Sequence, residues 1–297
     1  MVDIVEGLRR KYPLNDLLVI SGIPRSTYFH VRKRNAAPDK DADLKDRISA
    51  IYNENAKGKE RYGYRRVCAE LRRTDRHPHV NHKKVQRIMR ELGLFGYVSK
   101  TGNRRYSSYK GTIGGIADNE VKRRFKAERP NAVWSTDVTE FNLPECGNAK
   151  VYPSPIKDFC DGSIVSHSRS TSPNLKLVMD MLDKALDKHG CLAGLVLHSD
   201  QGWQYQHRTW TERLDGRCIV QSMSRKGNCL DNSKMETFFG TIKKAIWFGQ
   251  EHSYKTPEEL MAAIDDYIDW YNRARIQIGL KGLSPLQYRE QAFKITI

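Results

Sequence analysis

The chain has 297 residues, 51 Lys+Arg against 35 Asp+Glu for a formal net charge of +16, and six cysteines. That length suits one large or two to three small domains with a proper core. Cys68, Cys146, Cys160, Cys191, Cys218 and Cys229 form no C-x-x-C pair, no apolar run is long enough for a membrane span, and the amino terminus shows no signal-peptide pattern; a disulfide scaffold, a zinc ribbon and a transmembrane protein are excluded, and a cytoplasmic protein with reduced thiols is expected.

The charge is segregated. Residues 1–130 hold 31 Lys+Arg and 15 Asp+Glu, whereas the remainder is balanced at 20 of each. A polyanion-binding front and a separately built back are implied.

Residues 1–36 read as a helix-turn-helix. Leu14, Leu17, Leu18 and Ile20 form the apolar side of a first helix, Ser21-Gly22 the turn, and Pro24 an early position of a second helix over Arg25 to Arg34. Tyr28 and Val31 are expected inside, with Arg25, Ser26, Thr27, Arg32, Lys33 and Arg34 outside. Such a front edge suits backbone and base-edge contacts in a DNA major groove, with Arg25, Arg32 and Lys33 as candidates; an ordinary helical hairpin is the plainer reading. Asn35 to Asp43 is a polar linker.

Residues 44–96 read as a second unit of the same kind. Leu44, Ile48 and Ile51 lie at helical spacing. Tyr62-Gly63-Tyr64-Arg65-Arg66 opens a helix that runs to about Arg73, and Asn81 caps another from His82 to Leu92, ended by Gly93. Val85, Ile88, Met89 and Leu92 make its buried stripe. Arg65, Arg66, Lys83, Lys84 and Arg87 are candidate DNA contacts on basic faces, although such faces are often merely solvated. Residues 97–128 form a basic linker in which Tyr106 and Tyr109 either stack on bases or belong to a simple tether.

The pattern changes near residue 130. Trp134–Leu143, Val151–Phe159 and Ile164–Ser170 read as strands, the last two joined by a turn at Asp161-Gly162. A helix over Leu175–Lys188, a strand at Leu195–Ser199, a short helix at Arg208–Leu214, a strand at Ile219–Ser222, and helices over Asn232–Trp247 and Pro257–Arg273 follow. This order is that of a ribonuclease-H-like α/β core, a mixed five-stranded sheet with helices, over 130–250. Residues 251–297 extend it as helix.

Three acids fit a common purpose. Asp137 lies in the first strand, Asp200 closes the fourth, and Glu236 sits on a helix, with 35 residues between the last two. Two strand-end aspartates and a helical glutamate can converge on two Mg²⁺ ions, which prefer hard oxygen ligands and suit phosphodiester chemistry. Taken singly, each acid has a bland reading as a turn, cap or solvent residue. Gly240 and Lys243 follow Glu236 on the same face, the first leaving room for a DNA backbone and the second able to hold a phosphate. The polar loop 224–232 brings Arg225 and Lys226 toward substrate, and Asn232 is expected to cap the helix. His198 is expected to pack or hydrogen-bond.

The chain resembles the integrase-core transposases of bacterial insertion sequences, family three, downstream-frame type. The resemblance rests on Trp134-Ser135-Thr136-Asp137-Val138-Thr139-Glu140-Phe141, His198-Ser199-Asp200-Gln201-Gly202-Trp203-Gln204-Tyr205, Ser222-Met223-Ser224-Arg225-Lys226-Gly227-Asn228 continuing to Glu236-Thr237-Phe238-Phe239-Gly240, and Tyr271-Asn272 leading to Arg275 and Leu280-Lys281-Gly282-Leu283-Ser284-Pro285. It implies a D, D, 35, E triad at Asp137, Asp200 and Glu236 that holds two Mg²⁺ ions (Mn²⁺ can substitute), with Lys243 on DNA. It further implies cleavage at the 3′ ends of the element, strand transfer by the freed 3′-hydroxyl, and a circular intermediate. The partners implied are terminal inverted repeats and target DNA, further copies of the chain on DNA, and an upstream-frame protein fused by frameshifting, in a bacterial cytoplasm at the nucleoid. Two features depart from relatives. Gln277 stands where many carry histidine, and His77, His79 and His82 lack the paired cysteines of a zinc module, so no zinc is expected. A non-catalytic DNA-binding regulator derived from such a transposase is the alternative, and a simple ribonuclease-H-like nuclease a third.

Overall fold

The computed structural model describes residues 1–56, 60–73, 78–96, 115–190, 192–226 and 228–294. Tyr106, Tyr109, His77 and the expected linker up to residue 114 lie outside the described residues. The chain divides into two compact units, Met1–Arg47 and Ile48–Ile297.

The first unit contains α1 (Val2–Leu8), α2 (Leu14–Ser21) and α3 (Arg25–Ala36). Gly22 ends α2 in the left-handed region at φ 64°, where a side chain would be strained. Val5, Leu17, Leu18 and Tyr28 form a small core with Leu14 and Ile23 against it. The expected hairpin is therefore a three-helix unit, because α1 supplies Val5 as the third wall; its seven residues were too few to register as a period. Ile20 is not part of the apolar side. It is 83% exposed, because a helix of eight residues turns only one narrow face inward. Arg25, Arg32 and Lys33 are exposed on α3. Arg25 donates to Asn15 Oδ1 at 2.7 Å, and Arg32 pairs with Glu6 at 3.4 Å.

The division falls within α4 (Ala42–Ala56), whose Ile48 and Ile51 are buried in the second unit. There α5 (Tyr64–Arg73) buries Val67, Cys68 and Leu71, and α6 (His82–Glu91) buries Val85, Ile88 and Met89. The Asn81 side chain accepts from the Lys83 N–H at the start of α6, and Gly93 at φ 68° follows it. Leu92, expected in the buried stripe, is 37% exposed just beyond the last turn.

The rest is a mixed sheet with helices on both faces. Its strands are β1 (Val133–Thr136), β2 (Phe141–Leu143), β3 (Ala149–Asp158), β4 (Ile164–Ser170), β5 (Val196–Ser199) and β6 (Val220–Met223). β3 pairs antiparallel with β1, β2 and β4, while β5 lies parallel to β1 and β6 parallel to β5. One strand was expected over 134–143; two short ones are present. Trp134 faces Asp158 and Phe141 faces Val151 in one unbroken register. That register sets Asp137 opposite Pro155 and Thr139 opposite Pro153. The Thr139 amide still donates to the Pro153 carbonyl at 3.2 Å. Proline has no N–H to return, so the ladder opens at 137–140 without slipping.

α7 (Leu175–His189), capped by Asn174, packs on one face with Trp134, Ile156, Val165, Val178, Met181 and Leu182. α8 (Trp203–Gln206) and α9 (Arg208–Asp215) add Tyr205, Trp210 and Leu214 to that core. α10 (Ser233–Ile246) and α11 (Pro257–Arg273) cover the other face with Met235, Phe238, Ile242, Ile264 and Tyr267 against Phe141, Val151 and Ile164. Neighbours Ile164 and Val165 thus serve opposite cores, as the pleat requires. α12 (Pro285–Phe293) closes the chain, its Arg289 donating to Asp158 at 3.0 Å and to Asp161 at 2.5 Å. No described helix is long and apolar enough to cross a membrane.

Candidate active site

Asp137 is the first residue after β1, and Asp200 the first after β5. These strands are parallel neighbours, with Ser135 beside His198. Two residues further along the same register, Asp137 stands beside Asp200. Adjacent strands lie about 4.8 Å apart, so the backbone itself brings the carboxylates together. They share the carboxyl ends of two parallel strands, where ligands of open α/β sheets commonly bind.

Each carboxylate has one modest partner. Asp137 Oδ1 accepts from the Val138 N–H at 2.8 Å, and Asp200 Oδ1 from the Gly202 N–H at 2.9 Å. A side chain at Gly202 would start 3.0 Å from Asp200 Oδ1 and would push on that carboxylate. Neither aspartate forms an ion pair among the described residues. Burial, then the charge of Asp200 and more weakly that of Glu236, holds the Asp137 carboxyl well above its ordinary range, with the Val138 amide and Lys243 opposing. Burial also raises Asp200, against the Gly202 amide. The Tyr205 phenol beneath them is pushed well up by burial and then by both aspartates.

Glu236 lies exposed in the first turn of α10, and burial of its stem raises its carboxyl. Gly240 follows with open space where a side chain would be. Lys243 is half-buried, its ammonium 5.2 Å from the Phe141 ring centre and its charge felt at Asp137. Among the described residues, no three of His, Cys, Asp and Glu stand close enough to hold one metal ion. The donor set nonetheless fits divalent cations in pairs: hard oxygens held high chiefly by burial, with no ion pair to either aspartate among the described residues and only the more distant charge of Lys243 opposing. A pair per ion suffices, since Mg²⁺ keeps several waters.

The surroundings tie three elements together. His198 is fully buried; its Nδ1 lies 2.9 Å from Ser222 Oγ, and its Nε2 lies 3.1 Å from Ser224 Oγ and the Asp231 carbonyl. Burial lowers its pKa to about 4, so the ring is neutral at pH 7. Asn232 stands at the N-cap position of α10 as expected, but its side chain makes no cap hydrogen bond. Its amide instead donates to the Thr136 carbonyl at 3.3 Å, beside Asp137. Asp231, fully buried, accepts from Arg225 Nε and Nη2 at 2.9 Å each, from Arg123 Nε at 3.0 Å and from Asn119 at 3.0 Å. Arg225 thus pairs with Asp231 while its side chain stays exposed, as Lys226 is. Sequence reading missed Asp231, Arg123 and Asn119; a lone acid beside two arginines 6 and 108 positions away carries no local signal.

Other candidates lie elsewhere. Lys83 and Lys84 are exposed on α6, where Arg87 pairs with Glu91 at 2.6 Å. Arg65 is exposed over the Tyr64 ring, but Arg66 is half-buried against Glu60. Glu140 pairs with Lys150 on the surface. Gln277 frames a turn by bridging to Leu283.

Three family models match the chain. The family described as integrase core domain matches residues 127–229, a second of that description matches 236–293, and an HTH-like domain matches 38–101. The chain is 45% identical to the putative transposase InsK for insertion sequence element IS150 of Escherichia coli (strain K12), over 98% of both. It is 38% identical to the probable transposase for insertion sequence element IS1353 of Shigella flexneri, over 96% of this chain but 54% of that protein. The catalytic core domain of HTLV-2 integrase, solved with magnesium in a trimeric form, overlays 54% of this chain and 97% of its own at a TM-score of 0.43 and 19% identity.

Proposed function

The chain belongs to the integrase-core transposases of bacterial insertion sequences, family three, and on that premise we propose that it binds the terminal inverted repeats of its element, cleaves their 3′ ends and joins them to DNA. The observation that carries this reading is the pair Asp137 and Asp200, set side by side by strand register, each with one backbone N–H as hydrogen-bond partner. Glu236 completes the set from α10.

In the first reaction water attacks the phosphorus at the element's end. A P–O bond to water forms and the P–O3′ bond breaks, leaving a 3′-hydroxyl. In the second that hydroxyl attacks a phosphodiester of another strand, forming a new P–O3′ bond as the old one breaks. Mg²⁺ ions held by Asp137, Asp200 and Glu236, or Mn²⁺ in their place, would polarise the phosphate and favour the deprotonated nucleophile. Lys243 directs a positive charge to the same edge and can hold a phosphate oxygen. Open space over Gly240 admits the DNA backbone. The exposed cations Arg25, Arg32, Lys33, Lys83 and Lys84 supply sequence-independent attraction and register on the duplex. We assign residues 1–36 and 44–96 to end binding, 97–128 to the linker, 130–250 to the chemistry and 251–297 to its helical support. Two ends and one site per chain make a multimer on DNA the expected working form. An upstream-frame protein fused by frameshifting is a further partner of this reading.

The test is strand transfer of an oligonucleotide duplex carrying the cognate end. Joining should need Mg²⁺ and vanish with EDTA, and Asp137→Asn, Asp200→Asn or Glu236→Gln should abolish it while end binding persists. Joining that survives all three substitutions would sink the assignment.

A further inference from the structure

The segment ahead of α5 is fastened to the far end of the catalytic unit by buried charge. Arg275, which follows α11, donates to Glu60 Oε2 at 2.6 Å and Oε1 at 3.3 Å, and Arg66 of α5 reaches Glu60 Oε1 at 2.5 Å. The side chains of Arg275 and Glu60 are only 8% and 17% exposed. Burial alone would raise the Glu60 carboxyl, but Arg275 and then Arg66 bring it below its ordinary value. The Tyr62 hydroxyl accepts from the Ile276 N–H at 3.1 Å. Nearby, the backbone of Gly282, at φ 80°, comes so close to α5 that a side chain there would lie 3.2 Å from Ala69 Cβ.

The fastening continues inward. The Arg275 guanidinium lies 5.4 Å from the Tyr271 ring centre. The Tyr271 hydroxyl accepts from buried Lys157 of β3 at 2.7 Å, and that ammonium lies 5.0 Å from the Phe238 ring on α10. A chain of side chains thus runs from the helix pair α5–α6 to the helix that carries Glu236. On the outer side a cleft of about 660 Å³ is walled by Arg65, Arg72 and Arg73 from α5 and by Lys281 from the turn after α11. Positive charge therefore lines both sides of the joint.

We propose that Glu60, Arg66 and Arg275 are positioning residues that fix α5–α6 on the catalytic unit, so that an end bound by this helix pair presents one particular phosphodiester to the Asp137–Asp200 edge. The helix pair serves as a ruler between the recognised bases and the cut. This rests on the transposase reading above. A flexibly tethered reader would hold an end at many distances from the acids; a partly buried, bidentate anchor allows one. Lysine at 275 would keep the charge but lose the fork.

The test maps 3′ cleavage of a cognate end duplex at nucleotide resolution with the full chain. Wild-type protein should cut at one phosphodiester. Arg275→Gln and Glu60→Gln should bind the end within about threefold but cut that phosphodiester about a hundredfold more slowly, or spread cuts over its neighbours, as expected for a misplacement near 1 Å. Arg275→Lys should fall between them and wild type. Hydrogen exchange guards against misfolding: in both glutamine variants α5 amides should exchange faster while α7 stays protected. Cutting at the unaltered position and rate by both glutamine variants overturns the ruler, as does unchanged α5 exchange. A wild-type protein that cuts no end DNA sinks the transposition reading instead, and the ruler with it.

Discussion

Two acidic regions near the same strand ends, one buried and one half-buried, are treated in opposite ways. Asp231, in the loop before α10, receives donors from two arginines and an asparagine, and its carboxyl is held far below the ordinary range, first by the Arg225 hydrogen bonds. Asp137 and Asp200, at the ends of β1 and β5, receive one backbone N–H each and are held high. The fold can surround a carboxylate with cationic donors, and at the strand ends it supplies one backbone N–H each. Unspent negative charge at a strand end is a standing invitation to a cation, and with it to the phosphate that the cation binds.

The sharpest way to break this contrast is activity. Asp137→Asn should lower end joining at least about a thousandfold, the scale of losing a preorganised electrostatic element, whereas Asp231→Asn should keep measurable joining at low temperature. Equal losses would erase the distinction. Next in size is stability. Asp231→Asn should destabilise the protein by about 2–3 kcal/mol, the usual range for charge-assisted hydrogen bonds lost from a buried site, read by urea unfolding.

A smaller effect of opposite sign is expected at the strand ends. Without divalent cations, Asp200→Asn should stabilise the protein modestly, because it removes a carboxylate whose ionised form burial disfavours, an effect that solvent screening reduces. The pH signs differ accordingly. Carboxyls raised in the folded state hold extra protons there, so their penalty is full above their folded pKa values and fades as pH falls toward about 4. Asp231, depressed in the folded state, contributes stability above about 4 that is lost on further acidification. Metal-free wild-type protein should therefore gain stability on mild acidification and lose it on strong acidification, and Asp200→Asn should lack part of the gain. The smallest effect is at Gly240. Alanine there meets nothing in the free protein and should stabilise by about 0.5–1 kcal/mol, as for any mid-helix glycine, yet joining should fall if DNA passes over it. Unchanged joining would remove that role.

Much of this was legible in the chain. Alternation, apolar runs and helical periods gave the order of the elements along the chain, and the strand-end acids and the basic front need only local sequence. What was missed depends on long-range pairing. Pro153 and Pro155 read as ordinary strand residues until register sets them against Thr139 and Asp137. The ion pairs of Arg225 with Asp231 and of Arg66 with Glu60 carry no periodic signal either. The Glu60–Arg275 anchor joins residues 215 apart, beyond any periodic signal. Ile20 misled because apolar spacing was taken for a wider buried face than so short a helix has.

The unbroken register across the proline gap has a further consequence for the evolution of this sheet. β2 and β3 are joined by the turn around Gly147 and Asn148, both at φ 60°. Their pairing runs on without a slip to Trp134 and Asp158. The length of that turn therefore decides which side of the sheet Asp137 faces. Side chains alternate along a strand, so adding or deleting one residue in 144–148 and re-pairing the strand would reverse every face at once. Loop tips elsewhere on a protein commonly absorb insertions; this one behaves as a spacer of fixed length, with its tolerance set by an acid ten positions away.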